Sequence, residues 1–400
     1  MKSLSRLLVL AVALLSTSAW AVKIPVGTDS AINFSLLLQP TMQFLDGASP
    51  NGSLNTDFYV RRSRLNVTGN YGQYVAYQLQ FDMPRFGLRG NFGTNAIVQD
   101  ANVTVIPIPD LYIDMGLMTM AISRTSLESS AAFQTLDLLG NAVRYNAAFN
   151  LRDVGLQVRY IGLDKKLNAR VGIFTGARAA NQTAFTVKNN AGTGTVTAPA
   201  YVNPDGAPKV GAYAQYAILG QEGGYVFNSI YFSETPIVVV GAGMQWQSKG
   251  VAVPTFSPAT TSTGTSQITP PDNTVLAASY FIELPFSSDL EIVSNGSYYQ
   301  YRNGAINVNT GYGMSGDLGV RFGIIEPVVS AEYFNADLHT TDFRRLAAGL
   351  DFWVSKHAFN IKAELARQWS GNLATAAIAP TVAAGGAQYQ GTIQMQLVFQ

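Results

Sequence analysis

The C-terminal stretch QYQGTIQMQLVFQ, residues 388–400, alternates polar and non-polar residues over almost its whole length. Successive side chains of a β-strand point to opposite faces, so an extended chain here would have one polar and one apolar face. A strand of a membrane β-barrel needs this arrangement, because its outer face meets lipid while its inner face can meet water. The stretch therefore favours an all-β, barrel-type fold.

Segments with the same alternation recur along the chain, for example YVAYQLQFDM at 74–83, LYIDMGLM at 111–118 and FNIKAELARQW at 359–369. Their lengths are close to the roughly 9 to 11 residues that cross a bilayer as a tilted strand. A soluble β-sandwich or propeller would also alternate, with its polar face on the outside, so alternation alone leaves that alternative open.

The composition supports the barrel. Charged residues make up 13% of the chain, against about 25% in an average soluble domain, while the chain has 37 Gly, 19 Tyr and 21 Phe. The absence of cysteine excludes disulfides and thiolate chemistry. Lys and Arg number 26 and Asp and Glu 25, a balance that does not indicate nucleic acid as a partner.

The first 21 residues, MKSLSRLLVLAVALLSTSAWA, are typical of a secretory signal peptide. Lys2 and Arg6 precede a short apolar run, and the triplet Ala19-Trp20-Ala21 predicts cleavage after Ala21. We therefore expect 1–21 to be a signal peptide and 22–400 to form one barrel domain.

Connection lengths predict the strand number. If the chain starts on the periplasmic side, long external loops and short periplasmic turns alternate. The predicted long loops are 45–56, 84–96, 118–152, 177–209, 249–273, 302–312, 335–342 and 370–387. Eight loops imply a 16-stranded antiparallel transmembrane β-barrel, provided that QEGGYVFNSIYFSE at 221–234 is a long periplasmic connection and not a seventeenth strand.

Four segments together resemble the phosphate-selective porin O and P family of outer-membrane proteins: 58–82, 98–130, 151–160 with LRDVGLQVRY, and 170–177 with RVGIFTGA. The resemblance implies a trimeric sixteen-stranded porin whose third external loop folds into the pore. Two features depart from the family's pattern. The aromatic residue expected at the last position is Phe399, one position earlier, and the eight lysines after residue 21 lie mostly in predicted loops and turns. Phosphate selectivity is therefore not carried over.

Strand parity predicts where the charged side chains point. In FYVRRSRLNV, residues 58–67, Arg62 and Arg64 share a face with Asn66, which predicts that they face the lumen, whereas Arg61 shares the outward face with Leu65. We expect Arg61 to meet headgroups or a subunit boundary. The full set of predicted pore-lining residues is Arg62, Arg64, Arg124, Glu128, Asp137, Arg144, Arg152, Arg159, Arg170 and Arg321. An alternative is that these arginines are paired with wall carboxylates such as Asp82, Asp114, Asp317 and Glu332.

The loop 118–152 carries both signs of charge, which is typical of a constriction with only a mild ion preference. Thr125 followed by Glu128 resembles a capping box that begins a short helix. The alternative is an external loop that packs on neighbouring groups or on lipopolysaccharide.

The chain gives little support for catalysis or a cofactor. Its two histidines, His339 and His357, are predicted at opposite ends of the barrel and could not share a metal. Trp246, Trp353 and Trp369 are interpreted as part of an aromatic girdle at the membrane interfaces. The resulting hypothesis is a non-enzymatic outer-membrane porin, in contact with outer-membrane lipid and lipopolysaccharide, that passes small hydrophilic solutes with a modest anion preference. The alternative is an adhesion or structural barrel with a closed lumen that acts through its external loops.

Overall fold

A computed structural model describes residues 22–49, 51–93, 95–139, 151–181, 185–188, 195–198, 200–254, 269–305, 307–339, 341–370 and 386–399. The predicted signal peptide, 1–21, lies outside the described residues. The helices among the described residues are the single 3₁₀ turns Leu88–Gly90, Thr125–Leu127 and Ala179–Asn181. None of them is long or apolar enough to cross a membrane.

Sixteen strands of the described chain form one closed antiparallel barrel, as predicted. They are β1 (Ala31–Leu45), β2 (Asn55–Tyr71), β3 (Val75–Asp82), β4 (Ile97–Ile108), β5 (Leu111–Thr119), β6 (Arg152–Gly162), β7 (Leu167–Phe174), β8 (Lys209–Leu219), β9 (Ile237–Gln247), β10 (Asn273–Pro285), β11 (Leu290–Arg302), β12 (Gly311–Phe322), β13 (Ile325–Ala336), β14 (Phe343–His357), β15 (Phe359–Ser370) and β16 (Ala387–Phe399).

The barrel closes between its first and last strands. β1 pairs with β16 from Leu36 opposite Phe399 to Leu45 opposite Gln390. Beyond the end of β16, the short strand Val22–Pro25 pairs with the rest of β1 and extends the same edge. Closure matters because an open strand edge in lipid would leave backbone N–H and C=O groups without hydrogen-bond partners.

The alternation of the sequence becomes an apolar outside and a polar inside. On β16, the polar residues Gln388, Thr392, Gln394 and Gln396 are buried, whereas Ile393 between them is exposed on the outer surface. Val103, Met115 and Val171 on other strands are likewise exposed. A soluble protein would bury the opposite set, so the burial pattern excludes the soluble sandwich.

The connections alternate in length as predicted, with long loops at one end of the barrel and short turns at the other. Residues 220–236, between β8 and β9, form a long connection at the short-turn end and not a strand, as the even strand count requires. This connection, called segment 220–236 below, does not stay outside the barrel. Phe227 and Ile230 within it are fully buried.

Two chain segments fill one side of the lumen. The described residues of loop 3 (residues 120–151, between β5 and β6) pack Ile122, Leu138 and Leu151 against an apolar cluster that includes Tyr299 and Phe334. Segment 220–236 packs Ile230 against Val239, Phe281 and Trp353 nearer the short turns. The apolar inward residues of β8–β13 thus form a core that these two segments cover.

The predicted place of Trp353 in an aromatic girdle at the membrane interface is wrong. Trp353 faces the lumen with 3% of its surface exposed, and its indole N–H donates to Glu326 Oε2 at 2.5 Å. Its parity with the buried Asp351 places it inside, so it is not part of an outer girdle. Trp246 and Trp369 remain on the outer surface, where Trp246 is 37% exposed.

Gly243 on β9 lies directly beneath loop 3, and we predict that a single added methyl group there unseats the loop. A Cβ at Gly243 would lie 2.1 Å from the Ile122 carbonyl oxygen and 2.8 Å from that of Ala212, both backbone atoms that cannot rotate away. We expect Gly243→Ala to cost about 1–3 kcal/mol of unfolding free energy. Thermal unfolding of the folded barrel in detergent measures this cost.

Gly391→Ala on β16 is the matched control, because its Cβ would make only an ordinary contact with Phe44 at 3.5 Å. Equal stabilities of the two variants would contradict the close seating of loop 3 on β9.

Candidate functional site

A β-bulge places three arginines on the inner wall at the start of the barrel. The pairing of β1 with β2 runs from Leu38 opposite Ser63 to Pro40 opposite Val60, so Arg61 and Arg62 both lie opposite Gln39. An extra residue in one strand changes the side-chain direction at the bulge. Arg62 and Arg64 point inward, where they contact Asp137 and Asp82.

The prediction for Arg61 was wrong because simple alternation does not hold across the bulge. The Arg61 side chain turns inward and binds loop 3 through Asp137 Oδ2, with its Nε at 2.8 Å and its Nη2 at 2.5 Å. It does not meet lipid headgroups. The bulge thus converts an alternating strand into one that presents Arg61, Arg62 and Arg64 to the same inner wall.

Asp137 bridges two of these arginines. Its Oδ2 accepts from Arg61 and its Oδ1 accepts from Arg62, while Arg62 Nη1 also donates to Gln39 Oε1 at 2.8 Å. Burial raises the pKa of Asp137, but the two guanidinium groups outweigh this and hold the pKa below its usual range. The carboxylate therefore stays ionised, and its side chain is still 37% exposed.

Three more arginine–carboxylate pairs continue along the inner wall of β2–β6. Arg64 Nε is 2.9 Å from Asp82, Arg152 Nε is 3.1 Å from Asp100 and Arg159 Nε is 3.2 Å from Asp114. Arg64 also donates to Ser130 Oγ of loop 3. The alternative of wall pairing is therefore observed for Asp82 and Asp114, and the row carries both signs of charge.

Arg124 is the charged centre of the filled side of the lumen. Its guanidinium donates to Glu222 Oε1 at 2.7 Å, Glu128 Oε1 at 2.8 Å and Asn295 Oδ1 at 2.8 Å. It also lies 3.9 Å over the ring of Phe281. Burial lowers the pKa of Arg124, but the two carboxylates outweigh it and raise the pKa above its ordinary value. One side chain thus joins loop 3, segment 220–236 and the barrel wall.

The short helix predicted in loop 3 is only the 3₁₀ turn Thr125–Leu127. No capping box forms, because Thr125 Oγ1 contacts Ser297 Oγ and the Glu128 carboxylate is engaged by Arg124 and Ser229. These tertiary contacts satisfy both side chains. The other prediction for this loop, that it folds into the barrel, agrees with its contacts to the wall.

Loop 3 reaches the far wall through backbone carbonyl groups. Gln396 Nε2 on β16 donates to Ala131 O at 2.7 Å, and Lys362 on β15 donates to Phe133 O. Gln134 of the loop donates to Glu326 Oε1 at 2.7 Å. The loop therefore crosses the lumen and is fixed on both sides.

The remaining predicted pore-lining residues differ from one another in their contacts. Arg170 donates to Asn168 Oδ1 and Gly224 O and has no ion pair with a carboxylate among the described residues. Arg321 pairs with Glu291 at 2.7 Å near the short turns, away from loop 3. Arg144 lies outside the described residues. The nine predicted residues that the structure describes are thus distributed over the wall and loop 3, and they do not form a single cluster.

The lumen has an open half and a filled half. In the open half, inward residues of β1–β3 toward the short turns keep part of their surface exposed: Asn33, Ser35, Asn66, Thr68, Gln78 and Gln80. Nearer loop 3, Gln39, Arg62 and Asp82 on the same strands are buried. In the filled half, inward residues of β8–β11 are buried under loop 3 and segment 220–236: Tyr213, Gln245, Val275, Ser279, Phe281, Ser297 and Tyr299. The first set is therefore the more accessible of the two.

Sequence reasoning missed the residues of segment 220–236. Glu222 binds Arg124, and the ring of Tyr225 lies 5.1 Å from the Arg159 guanidinium and 5.8 Å from that of Arg170. The available signal was the unusual combination of Tyr225, Phe227 and Tyr231 in a connection at the short-turn end, where two to five polar residues suffice.

His357 contacts Ile230 O, and no group of three or more His, Asp or Glu side chains in the described chain could hold a metal ion.

We predict that Arg124→Met releases loop 3 and segment 220–236 from each other. The substitution leaves Glu222 and Glu128 buried without their cation, which should cost about 3–5 kcal/mol of unfolding free energy. Urea unfolding followed by tryptophan fluorescence measures the loss.

The triple variant Arg124→Met, Glu128→Gln and Glu222→Gln removes the uncompensated charges and should recover a large part of the lost stability. If Arg124→Met alone is as stable as the native chain, the assigned role of Arg124 is wrong.

Comparison with known proteins agrees with this architecture. A family model described as phosphate-selective porin O and P matches residues 38–216. A comparison with curated proteins found no match. The anion-selective porin from Comamonas acidovorans superimposes with a TM-score of 0.60 at 13% identity, over 93% of this chain and 100% of that one.

Two further outer-membrane proteins have the same fold. OmpT of Vibrio cholerae in its trimer form gives a TM-score of 0.54 at 11% identity, over 93% of this chain and 100% of OmpT. The channel DcaP of Acinetobacter baumannii gives 0.54 at 10% identity, over 94% and 99% of the two chains. The predicted resemblance is confirmed over residues 38–216, which match the phosphate-selective porin O and P family model, and the chain has the sixteen-stranded porin fold.

Proposed function

We propose that this protein is an outer-membrane porin through which small hydrophilic solutes and ions diffuse passively, with a modest preference for anions. The observation that carries the proposal is the open half of the lumen, a polar inner wall inside a closed barrel whose outer surface suits lipid. Arg61, Arg62 and Arg64 lie along this half. No step of bond formation or cleavage is needed, and we propose no enzymatic activity and no cofactor.

The ion preference follows from the charges beside the open half. Four guanidinium groups, those of Arg61, Arg62, Arg64 and Arg152, stand against three carboxylates, those of Asp82, Asp100 and Asp137. The local balance of four positive and three negative charges is +1. A positive excess in a narrow aqueous passage raises the local anion concentration, but a single excess charge predicts only a mild preference.

Selectivity for phosphate is not part of the proposal. Lys209 and Lys362 are the described lysines that face the lumen, and Lys362 is occupied by Asp351 and the Phe133 carbonyl group. A series of lysines along the ion path is not present in the described strands. The predicted pore-lining set is proposed to act as a mixed-charge surface, with Arg62, Arg64, Asp137 and Arg152 nearest the ion path and Arg124 and Glu128 holding loop 3.

Export through a signal peptide at 1–21 and assembly as a homotrimer are also proposals. The trimer is supported by OmpT, a protein of the same fold that was solved in a trimer form. Outer-membrane lipid is the partner that the apolar outer surface requires.

A closed-lumen barrel that acts through its loops is the second candidate. It is supported by segment 220–236, which enters from the short-turn end and meets loop 3 through Glu222 and Phe227. Together these segments close the filled half of the lumen. The two candidates differ in whether the open half conducts.

We predict that purified protein in a planar bilayer forms an ohmic channel, and that Asp137→Asn increases its anion preference while Arg62→Gln decreases it. A unit charge about 7 Å from the path of an ion in water changes the energy of that ion by about 0.6 kcal/mol, so each substitution should change the relative population of an ion roughly threefold. Reversal potentials under a salt gradient measure this change.

Lys249→Gln is the matched control, because Lys249 pairs with Asp205 in an exposed loop outside the barrel. It makes the same charge change as Arg62→Gln and should leave the reversal potential unaltered. Absence of any ohmic channel would favour the closed-lumen barrel and would overturn the porin proposal.

A further inference from the structure

Two arginines of the barrel wall point away from the lumen. Arg344 on β14 and Arg367 on β15 are exposed, and they alternate with the buried Phe343 and Ala366. In the register of the sheet, Arg344 is opposite Trp369, and Arg367 is opposite Leu346 on one side and Tyr389 on the other. The two guanidinium groups thus belong to adjacent positions of the outer surface, at the long-loop end.

This surface is otherwise apolar, and a charge on the lipid face of a barrel is costly unless it lies near the interface and is compensated. Aromatic rings compensate part of the charge. The Arg344 guanidinium lies 5.4 Å from the Tyr333 ring, and that of Arg367 lies 4.7 Å from Trp369 and 5.1 Å from Tyr389. The inward neighbours Arg345 and Lys362 pair with Glu364 and Asp351, whereas no ion pair of Arg344 or Arg367 is found among the described residues.

A groove of about 740 Å³ adjoins Arg344, and Arg367 lies next to two of its lining residues, Leu346 and Trp369. Its outward lining consists of Met314, Gly316, Ala331, Tyr333, Leu346 and Trp369, together with Arg344 at one end. Asp342 also lines the Arg344 end, where its carboxylate accepts from Ala336 N–H at 2.8 Å and contacts His339 Nδ1 at 3.3 Å. In the sheet, Met314 is paired with Tyr333 and Gly316 with Ala331, so these residues lie in two adjacent rows across β12 and β13. The small residues Gly316 and Ala331 form a floor between larger walls, so the groove has an apolar body with the Arg344 guanidinium at one end, beside the hydrogen-bonded Asp342.

We propose that this groove binds a phosphorylated glycolipid of the outer leaflet, with a phosphate group on Arg344 and Arg367 and an acyl chain along Gly316 and Ala331. Guanidinium groups are well suited to phosphate, with which they form charge-assisted hydrogen bonds. The long-loop end faces the outer leaflet in barrels of this type, so the inference rests on the outer-membrane placement proposed above.

The charges argue against the other occupants. A second copy of this chain would have to bring carboxylates to the arginines, but the buried carboxylates of the strands face inward: Asp82, Asp100, Asp114, Glu283, Glu291, Asp317, Glu326, Glu332 and Asp351. Free phosphate would leave the apolar groove unfilled. An amphiphile with phosphate groups and acyl chains satisfies both parts of the site.

The test compares the native chain with the double variant Arg344→Gln, Arg367→Gln by native mass spectrometry in detergent. The probe is an acylated glucosamine disaccharide carrying two phosphates. The double variant should bind it roughly thirtyfold more weakly, because each arginine should contribute about fivefold to the affinity. The native chain should show a similar loss with the dephosphorylated probe. Arg302→Gln, Lys23→Gln removes two exposed positive charges elsewhere and should bind like the native chain.

Three outcomes would overturn the proposal. Equal binding of the probe by the native chain and the double variant would remove the arginines from the site. Displacement of the probe by inorganic phosphate alone at comparable concentration would make it a free-phosphate site. Loss of oligomers in the double variant with glycolipid binding intact would make it a contact between copies.

Channel activity is measured separately, in bilayers of phosphatidylcholine without the glycolipid. Both forms should conduct equally there, because the two arginines lie outside the lumen. A lack of conductance in both would count against the porin function and leave the binding result to decide the lipid site.

Discussion

The interaction on which the interior of this barrel depends is the burial of Arg124 between Glu222 and Glu128. A guanidinium group that is 2% exposed loses its hydration, and only carboxylates and carbonyl groups placed around it can offset that loss. Those partners come from loop 3, from segment 220–236 and from the wall strand that carries Asn295. The single cation therefore holds loop 3 and segment 220–236 against the same sector of the barrel.

Because both segments are held on the β8–β13 side, the lumen is asymmetric. Apolar inward residues such as Val275 and Tyr299 become a core beneath loop 3, while Asn66 and Gln78 on the opposite wall stay accessible. Loop 3 then reaches across to Arg61 and Arg62 with Asp137. The loop that fills one half of the lumen thereby also supplies a carboxylate that binds two arginines of the opposite wall.

The barrel itself was predictable from the sequence, because alternation and loop length are local properties. The strands, the eight long connections and the position of segment 220–236 outside the strand count were all readable in this way. Arg61 was not, since a bulge adds one residue to β2 and no parity rule reveals where it occurs. Trp353 was misassigned for a related reason, because an aromatic residue near a strand end suits both the girdle and the apolar core.

The contacts of loop 3 were also beyond local reasoning. Thr125 and Glu128 have the spacing of a capping box, but Ser297 and Arg124 offer stronger tertiary partners. The sequence did not predict the role of Glu222, because that role depends on its contact with Arg124, a residue 98 positions away. Pairings of this kind depend on how the closed barrel brings distant segments together.

The division of the lumen into two halves is tested most directly by thiol accessibility, since the chain contains no cysteine of its own. Single cysteines at Asn66 and Gln78 would report on the open half, and single cysteines at Ser279 and Ser297 on the filled half. We predict that a small charged methanethiosulfonate reagent modifies the first pair rapidly in the folded barrel and leaves the second pair protected until unfolding. Equal modification rates at all four positions would contradict the account.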